Sequence, residues 1–125
     1  MKPRLLIALF AVSTLALGAC SSSGESSSRV DAAVIAESMI IDVRTPEEYA
    51  AGHLDGATLI DIKDASFDAK IAELDPNASY IIYCRSGNRS AQAVERMKEA
   101  GFTNLTDLGS LENASEETGI AIVSG

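Results

Sequence analysis

Short apolar runs along the chain predict four strands. The clearest is residues 80–83 (YIIY), in which every side chain is β-branched or aromatic. Residues 38–43 (SMIIDV) form another apolar run, which is too short for a helix and predicts a buried strand. Residues 57–60 and 104–108 predict two further short strands.

Segments with helical spacing separate these runs. The clearest is residues 90–100, where apolar side chains share one face, charged ones lie on the other, and Gly101 provides the stop. Thr45 and Glu48 are the ends of a capping box, which predicts a short helix that Gly52 terminates. Further helices are predicted over residues 30–37, 67–74 and 111–118. Strands that alternate with helices indicate an α/β domain with a mostly parallel sheet and right-handed crossovers.

The first 19 residues have the pattern of a secretory signal. Residues 1–4 are a basic start, residues 5–17 are almost wholly apolar, and small residues stand directly before Cys20. The apolar stretch is shorter than the about 20 residues that a transmembrane helix needs. We therefore expect residues 1–19 to be removed as a signal peptide.

Residues 17–20 (LGAC) resemble the lipobox of bacterial lipoproteins, in which the cysteine becomes the lipidated first residue. A Ser-rich run follows, so we predict a membrane anchor at Cys20 and a flexible tether over residues 20–29. With Ser21 after the cysteine, the segment is similar to outer-membrane lipoproteins that face the periplasm of Gram-negative bacteria. The alternative is an ordinary cleavage site beside a chance cysteine, which would give a soluble secreted protein.

Removal of the signal makes the chain more acidic. The full sequence has 10 Lys and Arg against 18 Asp and Glu, a net charge of −8, and without Lys2 and Arg4 the net charge becomes −10. An acidic chain gains nothing from neutralising phosphates, which excludes a general nucleic-acid binder. About a hundred residues form one ordinary core, so we expect a single domain over residues 30–125 and a monomer.

Lipidation of Cys20 would leave Cys84 as the only thiol of the mature chain. Its loop, residues 84–90 (CRSGNRS), lies between the best strand and the best helix, where open α/β sheets bind ligands. Gly87 and Asn88 tolerate left-handed backbone angles, and Ser90 is predicted to cap the helix. The loop N–H groups can then surround an anion and favour the thiolate. The structural alternative for Cys84 is a small buried hydrophobe at a strand end.

Positive charge is concentrated around this loop. Residues 84–98 hold four of the eight basic residues of the mature chain, and we predict that Arg85 and Arg89 bind a small anionic substrate. Arg96 and Lys98 fit a solvated helix face. With one thiol and one imidazole in the mature chain, a metal site lacks ligands, and no cofactor is expected.

Three segments resemble those of single-domain rhodaneses in order and spacing: residues 41–49 (IDVRTPEEY), residues 52–57 (GHLDGA) and the loop at residues 84–90. The resemblance implies the rhodanese fold, a parallel sheet of five strands or fewer with helices on both faces. It also implies thiosulfate sulfurtransferase activity with Cys84 as the catalytic nucleophile. The substrate-binding loop it implies consists of Arg85, Ser86, Gly87, Asn88, Arg89 and Ser90.

The tail is similar to that of small periplasmic phage-shock-type rhodaneses. Residues 107–111 (DLGSL) stand where a Gly-Gly and then a Trp are frequent in other relatives. In the implied reaction the Cys84 thiolate attacks the outer sulfur of thiosulfate, sulfite leaves, and the persulfide passes its sulfur to cyanide or a thiol. Loop amides would stabilise the negative charge, while Arg85 and Arg89 would hold the sulfonate, Arg89 in bidentate fashion.

Other functions remain as alternatives. A Cys–His hydrolase needs an imidazole beside the thiol, and His53 lies in a segment that the family uses structurally. A phosphatase or arsenate reductase on this fold is disfavoured, since tyrosine-phosphatase-like loops have five residues between Cys and Arg and this loop has four. An interaction module that docks a partner or senses redox state through Cys84 is the third alternative. Asp42 and Arg44 are predicted to form a structural pair, with Asp42 also a candidate to orient the loop.

Overall fold

The computed structural model describes residues 30–125, so the predicted signal peptide, Cys20 and the tether lie outside the described residues. In this part of the chain a four-stranded parallel sheet has the order β3-β1-β4-β5, and a two-stranded antiparallel ribbon pairs β2 with β6. The strands are β1 (Ser38–Asp42), β2 (His53–Leu54), β3 (Thr58–Leu59), β4 (Ser79–Cys84), β5 (Asn104–Ser110) and β6 (Ile122–Val123).

Helices cover both faces of the parallel sheet, as predicted. They are α1 (Ala32–Glu37), α2 (Pro46–Ala51), α3 (Phe67–Ala72), α4 (Asn88–Glu99) and α5 (Leu111–Thr118). Apolar side chains of α3 and α4 pack on one face, and those of α1, α2 and α5 on the other. Val30 donates its backbone N–H to the carbonyl of Glu117 at 3.0 Å, which fixes the start of the described chain to the last turn of α5.

The central strand β4 supplies both cores. Tyr80, Ile82 and Cys84 point into the cluster under α3 and α4, while Ile81 and Tyr83 point into the cluster on the opposite face. All five are at most 3% exposed, as expected for a central parallel strand covered by helices on both sides. Cys84 is therefore fixed at the carboxyl edge of the sheet by the best packed strand.

The helix after Cys84 begins two residues earlier than predicted. Its N-cap is Gly87, with a left-handed φ of 102°, and Asn88 is already helical. The prediction that Ser90 caps this helix was wrong, because the glycine turns the chain directly from the strand into the helix. Ser90 lies inside the first turn, where its hydroxyl is 3.1 Å from the carbonyl oxygen of Gly87.

Two further features were not predicted from the sequence. β5 extends to Ser110, because a bulge at Leu108 shifts the register from Ile82 opposite Asp107 to Tyr83 opposite Gly109. The β2–β6 ribbon holds the C-terminal segment against the residues that follow α2.

In residues 30–125 no helix combines the length and apolar character needed to cross a membrane.

Candidate active site

Cys84 ends β4 and is fully buried beneath the loop that follows it. Its side chain contributes to the apolar cluster under α4, so burial alone fits the structural alternative. Its polar surroundings do not fit that alternative, because the backbone N–H of Gly87 donates to Sγ at 2.9 Å. A buried structural thiol needs no such donor, whereas a thiolate does.

The loop favours the ionised form of the thiol. Burial raises the pKa of Cys84, but hydrogen bonds from the backbone and hydroxyl of Ser90 and from the N–H groups of Gly87 and Ser86 outweigh it. The net effect lowers the pKa of Cys84 below its ordinary value. The loop therefore directs a backbone N–H at Sγ, and Gly87 adopts a left-handed conformation there whereas Asn88 is helical.

Ser90 offers a direct test of this arrangement. Replacing Ser90 by Ala removes a hydroxyl that helps to lower the pKa of Cys84. We therefore expect the thiol to ionise at higher pH and to react about 3- to 10-fold more slowly with iodoacetamide at pH 7. The alkylation rate can be measured from pH 5 to 10 by quenching the reaction at set times and determining the intact mass of the protein. Ser86→Ala is the matched control, because Ser86 donates through its backbone and should leave the profile unchanged; equal profiles for both variants would contradict the prediction.

Arg89 contacts a carboxylate of α2. Its Nη1 donates to Oε2 of Glu48 at 2.7 Å and its Nη2 to Oε1 at 2.9 Å, a bidentate pair in which the Arg89 side chain is 18% exposed and the Glu48 side chain 25%. The same carboxylate accepts the Thr45 N–H at 3.2 Å in the capping box. The hydrogen bond from Arg89 is the main reason that the pKa of Glu48 falls to about 2. An anionic substrate would therefore compete with Glu48 for Arg89, and substrate binding by Arg89 stays a prediction.

The Glu48 pair should make stability depend on pH. The pKa of Glu48 is lowered in the folded state, so its stabilisation is complete above its ordinary pKa of 4.5 and is lost as pH falls toward about 2. We expect Glu48→Gln to lower the free energy of unfolding by about 1 to 2 kcal/mol at pH 7 and by almost nothing near pH 2. Urea titrations at both pH values measure this. Glu47→Gln, at an exposed neighbour in the same turn, should have little effect at either pH.

The remaining loop residues lie at the surface. Arg85, Ser86 and Asn88 are exposed, and Arg85 lines a cavity of about 330 Å³ beside the loop. The structure thus gathers Ser86, Gly87 and Ser90 around Sγ, directs Arg89 toward Glu48, and leaves the other loop side chains facing solvent.

The predicted pair of Asp42 and Arg44 is confirmed. Nε of Arg44 donates to Oδ1 of Asp42 at 2.9 Å and Nη2 to Oδ2 at 2.7 Å, with both residues at most 5% exposed. Nη2 also donates to the carbonyl of Gly52, so the pair ties β1 to the end of α2. An orienting effect of Asp42 on the loop stays a prediction.

His53 makes contacts of a structural kind. Its Nδ1 lies 2.8 Å from the carbonyl oxygen of Tyr49, and the two rings stack with centroids 3.7 Å apart.

Residues 30–125 contain no group of three or more His, Cys, Asp or Glu side chains that could hold a metal ion.

Sequence comparison adds to this geometry. Residues 25–116 match the model of the Rhodanese-like domain family, which covers most of the chain. The chain belongs to the rhodanese family. This confirms the resemblance described above, and the parallel sheet between two helical layers is the fold that the resemblance implied.

Named relatives of this rhodanese include sulfurtransferases. It is 37% identical over 73 residues to thiosulfate sulfurtransferase PspE of Escherichia coli (strain K12), a match that covers 58% of this chain and 70% of PspE. It is 38% identical over 69 residues to the probable adenylyltransferase/sulfurtransferase MoeZ of Mycobacterium tuberculosis (strain H37Rv), covering 55% of this chain but 18% of MoeZ. The solved structure of a rhodanese with anions from E. coli superposes with a TM-score of 0.60 at 33% identity, over 70% of this chain and 99% of that one.

Sequence reasoning missed two parts of the site of this rhodanese. Glu48 was assigned only to its capping box, and no local pattern marks its pairing with Arg89, 41 positions away. The cavity beside Arg85 joins α2, α5 and β6, and its residues Leu111, Glu112 and Ile122 carry no sequence signal of a site.

Proposed function

We propose that this rhodanese transfers sulfane sulfur from thiosulfate, or a similar donor, to cyanide or a thiol through a persulfide on Cys84. The observation that supports the proposal most strongly is the set of hydrogen-bond donors around the buried Sγ, with the N–H of Gly87 at 2.9 Å. The names of relatives such as PspE support sulfur transfer as the general reaction.

The donor half of the proposed reaction would use this geometry as follows. The Cys84 thiolate attacks the outer sulfur of thiosulfate, the sulfur–sulfur bond of the donor breaks, and sulfite leaves with the electron pair. The negative charge stays on the new persulfide, where the N–H groups of Ser86, Gly87 and Ser90 stabilise it as an oxyanion hole would. No general base is required, because the lowered pKa of Cys84 already favours the thiolate.

Positive charge at the mouth of the loop would hold the sulfonate. Arg85 is exposed beside Cys84 and free to turn toward a ligand, while Arg89 is held by Glu48. We therefore assign the first contact with the donor to Arg85 and a second contact to Arg89 once the donor competes with Glu48. The sulfonate oxygens of thiosulfate would thus stay outside the apolar cluster that contains Cys84.

The test is to incubate the purified protein with thiosulfate and cyanide and to follow thiocyanate. Intact mass after thiosulfate alone should show an adduct of one sulfur atom that disappears when cyanide is added. A persulfide that forms without turnover to any acceptor would favour the redox-sensing alternative. Absence of both adduct and thiocyanate, with hydrolysis of p-nitrophenyl phosphate instead, would refute sulfur transfer in favour of phosphatase chemistry.

We further propose that the protein is a lipoprotein of the cell envelope, anchored through Cys20. The support is the sequence pattern at residues 1–29, a basic start, an apolar run, LGAC and a Ser-rich segment. In cells that express the full chain, Cys20→Ala should move the protein from the membrane fraction to the soluble fraction. Continued sedimentation of this variant with membranes would contradict the anchor.

A further inference from the structure

A cavity of about 330 Å³ lies beside the active-site loop, between α2, α5 and β6. It reaches the loop at Arg85, the residue directly after Cys84. Cyanide is close in size to a water molecule, which takes about 30 Å³, so this space is far larger than cyanide requires. The cavity therefore fits the body of a larger reactant.

Two cations line the cavity, together with one unpaired carboxylate and one that is paired with Arg89. Arg44 is 5% exposed, and its Nε and Nη2 are held by Asp42 and the carbonyl of Gly52. Its Nη1 has no hydrogen-bond partner among residues 30–125, which leaves this nitrogen for a ligand. Arg85 provides the second cation from the loop.

Glu112 provides the carboxylate, and it takes part in no ion pair within the described part of the chain. The other carboxylate of the lining, Glu48, is already occupied by Arg89. Apolar surface completes the wall through Ala51, Leu111 and Ile122, the last of which is 45% exposed. An exposed isoleucine beside free charges of both signs is suited to a small zwitterion with a short apolar stem.

We propose, on the basis of the proposed function, that this cavity binds the sulfur acceptor, a low-molecular-weight thiol that carries both a carboxylate and an ammonium group. Cysteine and short peptides of cysteine have this chemistry. The carboxylate contacts Arg44 and Arg85, the ammonium contacts Glu112, and the methylene beside the thiol lies on Leu111 and Ile122.

Transfer to such an acceptor balances without a further reactant. The acceptor thiol gives its proton to the Cys84 persulfide anion, and the resulting thiolate attacks the outer sulfur. The bond between the two sulfurs of the persulfide then breaks, and its electron pair stays on Sγ. The products are the Cys84 thiolate and the acceptor persulfide. The outer sulfur lies about 2 Å beyond Sγ, so the attack takes place nearer the mouth of the loop than the buried Sγ itself.

Four acceptors distinguish the groups that the cavity recognises. The full chain, purified and loaded with thiosulfate, is mixed with cysteine, cysteamine, 3-mercaptopropionate or cyanide, and rates are compared at equal concentrations of the reactive anion. Cysteine should react fastest among the thiols. Glu112→Gln should slow cysteine and cysteamine about 5- to 10-fold and leave 3-mercaptopropionate and cyanide unchanged. The matched control is Glu116→Gln on the same helix, which should change none of the four.

Binding can be measured without the chemistry. S-methylcysteine cannot accept sulfur, so calorimetric titration into the Cys84→Ser variant reports the cavity alone. We expect binding that Glu112→Gln weakens and Glu116→Gln does not. Equal transfer to all three thiols, or S-methylcysteine binding that is absent or insensitive to Glu112, would overturn the acceptor site while leaving cyanide turnover intact. Binding of S-methylcysteine without any persulfide in the wild-type protein would instead support the site and refute the proposed function.

Discussion

Replacement of Cys84 by Ser is expected to lower the rate of thiocyanate formation from thiosulfate and cyanide by more than about 10⁴-fold, the scale on which loss of a nucleophile abolishes covalent catalysis. A serine hydroxyl is not ionised near neutral pH, and the loop donors that lower the pKa of Cys84 cannot make it so. Steady-state kinetics measures the loss. Intact mass after exposure to thiosulfate should show the sulfur adduct in the wild type and none in the variant.

The structure also provides the control for this variant. Ser has nearly the volume of Cys, so the free energy of unfolding should change by no more than about 1.5 kcal/mol. Arg96→Ala, which breaks the ion pair between the last turn of α4 and Asp68 of α3, should retain full activity. Turnover by a folded Cys84→Ser protein, or an adduct on that protein, would show that another group carries the sulfur.

The largest expected effect on stability comes from Asp42→Ala. This change leaves the Arg44 guanidinium buried with its counterion removed, and we expect the free energy of unfolding to fall by about 3 to 5 kcal/mol. Urea denaturation at neutral pH measures the loss. Asp68→Ala is the matched comparison, because the Asp68 side chain is 71% exposed in its pair with Arg96 and should cost no more than about 1 kcal/mol.

A double variant separates an unpaired charge from lost packing. In Asp42→Ala with Arg44→Met the buried charge is gone, so a large part of the lost stability should return. A loss below about 1 kcal/mol in Asp42→Ala would mean that water reaches the pair, contrary to its burial. Failure of the double variant to recover would mean that the hydrogen bond to Gly52 matters more than the charge.

Strong local patterns predicted most of the fold. The run at residues 80–83 and the amphipathic face of residues 90–100 became β4 and α4, and the capping box at Thr45 became α2. The β2–β6 ribbon was missed, because each strand has two residues and nearly 70 positions separate them. Pairing of such short strands depends on tertiary contacts that leave no periodicity in the sequence.

The sequence predicted the backbone of the site but not all of its side-chain contacts. The position of Cys84 and the donors around it follow from a glycine-containing loop between a strand and a helix. The pairing of Arg89 with Glu48 does not follow from the sequence. Glu48 has the pattern of a helix-capping residue, and its contact with Arg89 depends on how α2 lies against the loop. Ser90 differs in the opposite way, because a plausible cap residue lies inside the first turn of α4 and helps to lower the pKa of Cys84.

The contact of Val30 with Glu117 determines how the domain would be presented on a surface. α5 starts directly after Ser110, which is in register with Cys84, and its eight residues run about 12 Å back across the sheet. The chain therefore enters the domain near the edge opposite the thiol. A flexible tether that joins the domain there would leave the reactive edge open to small molecules arriving by diffusion, because the attachment point is away from the thiol.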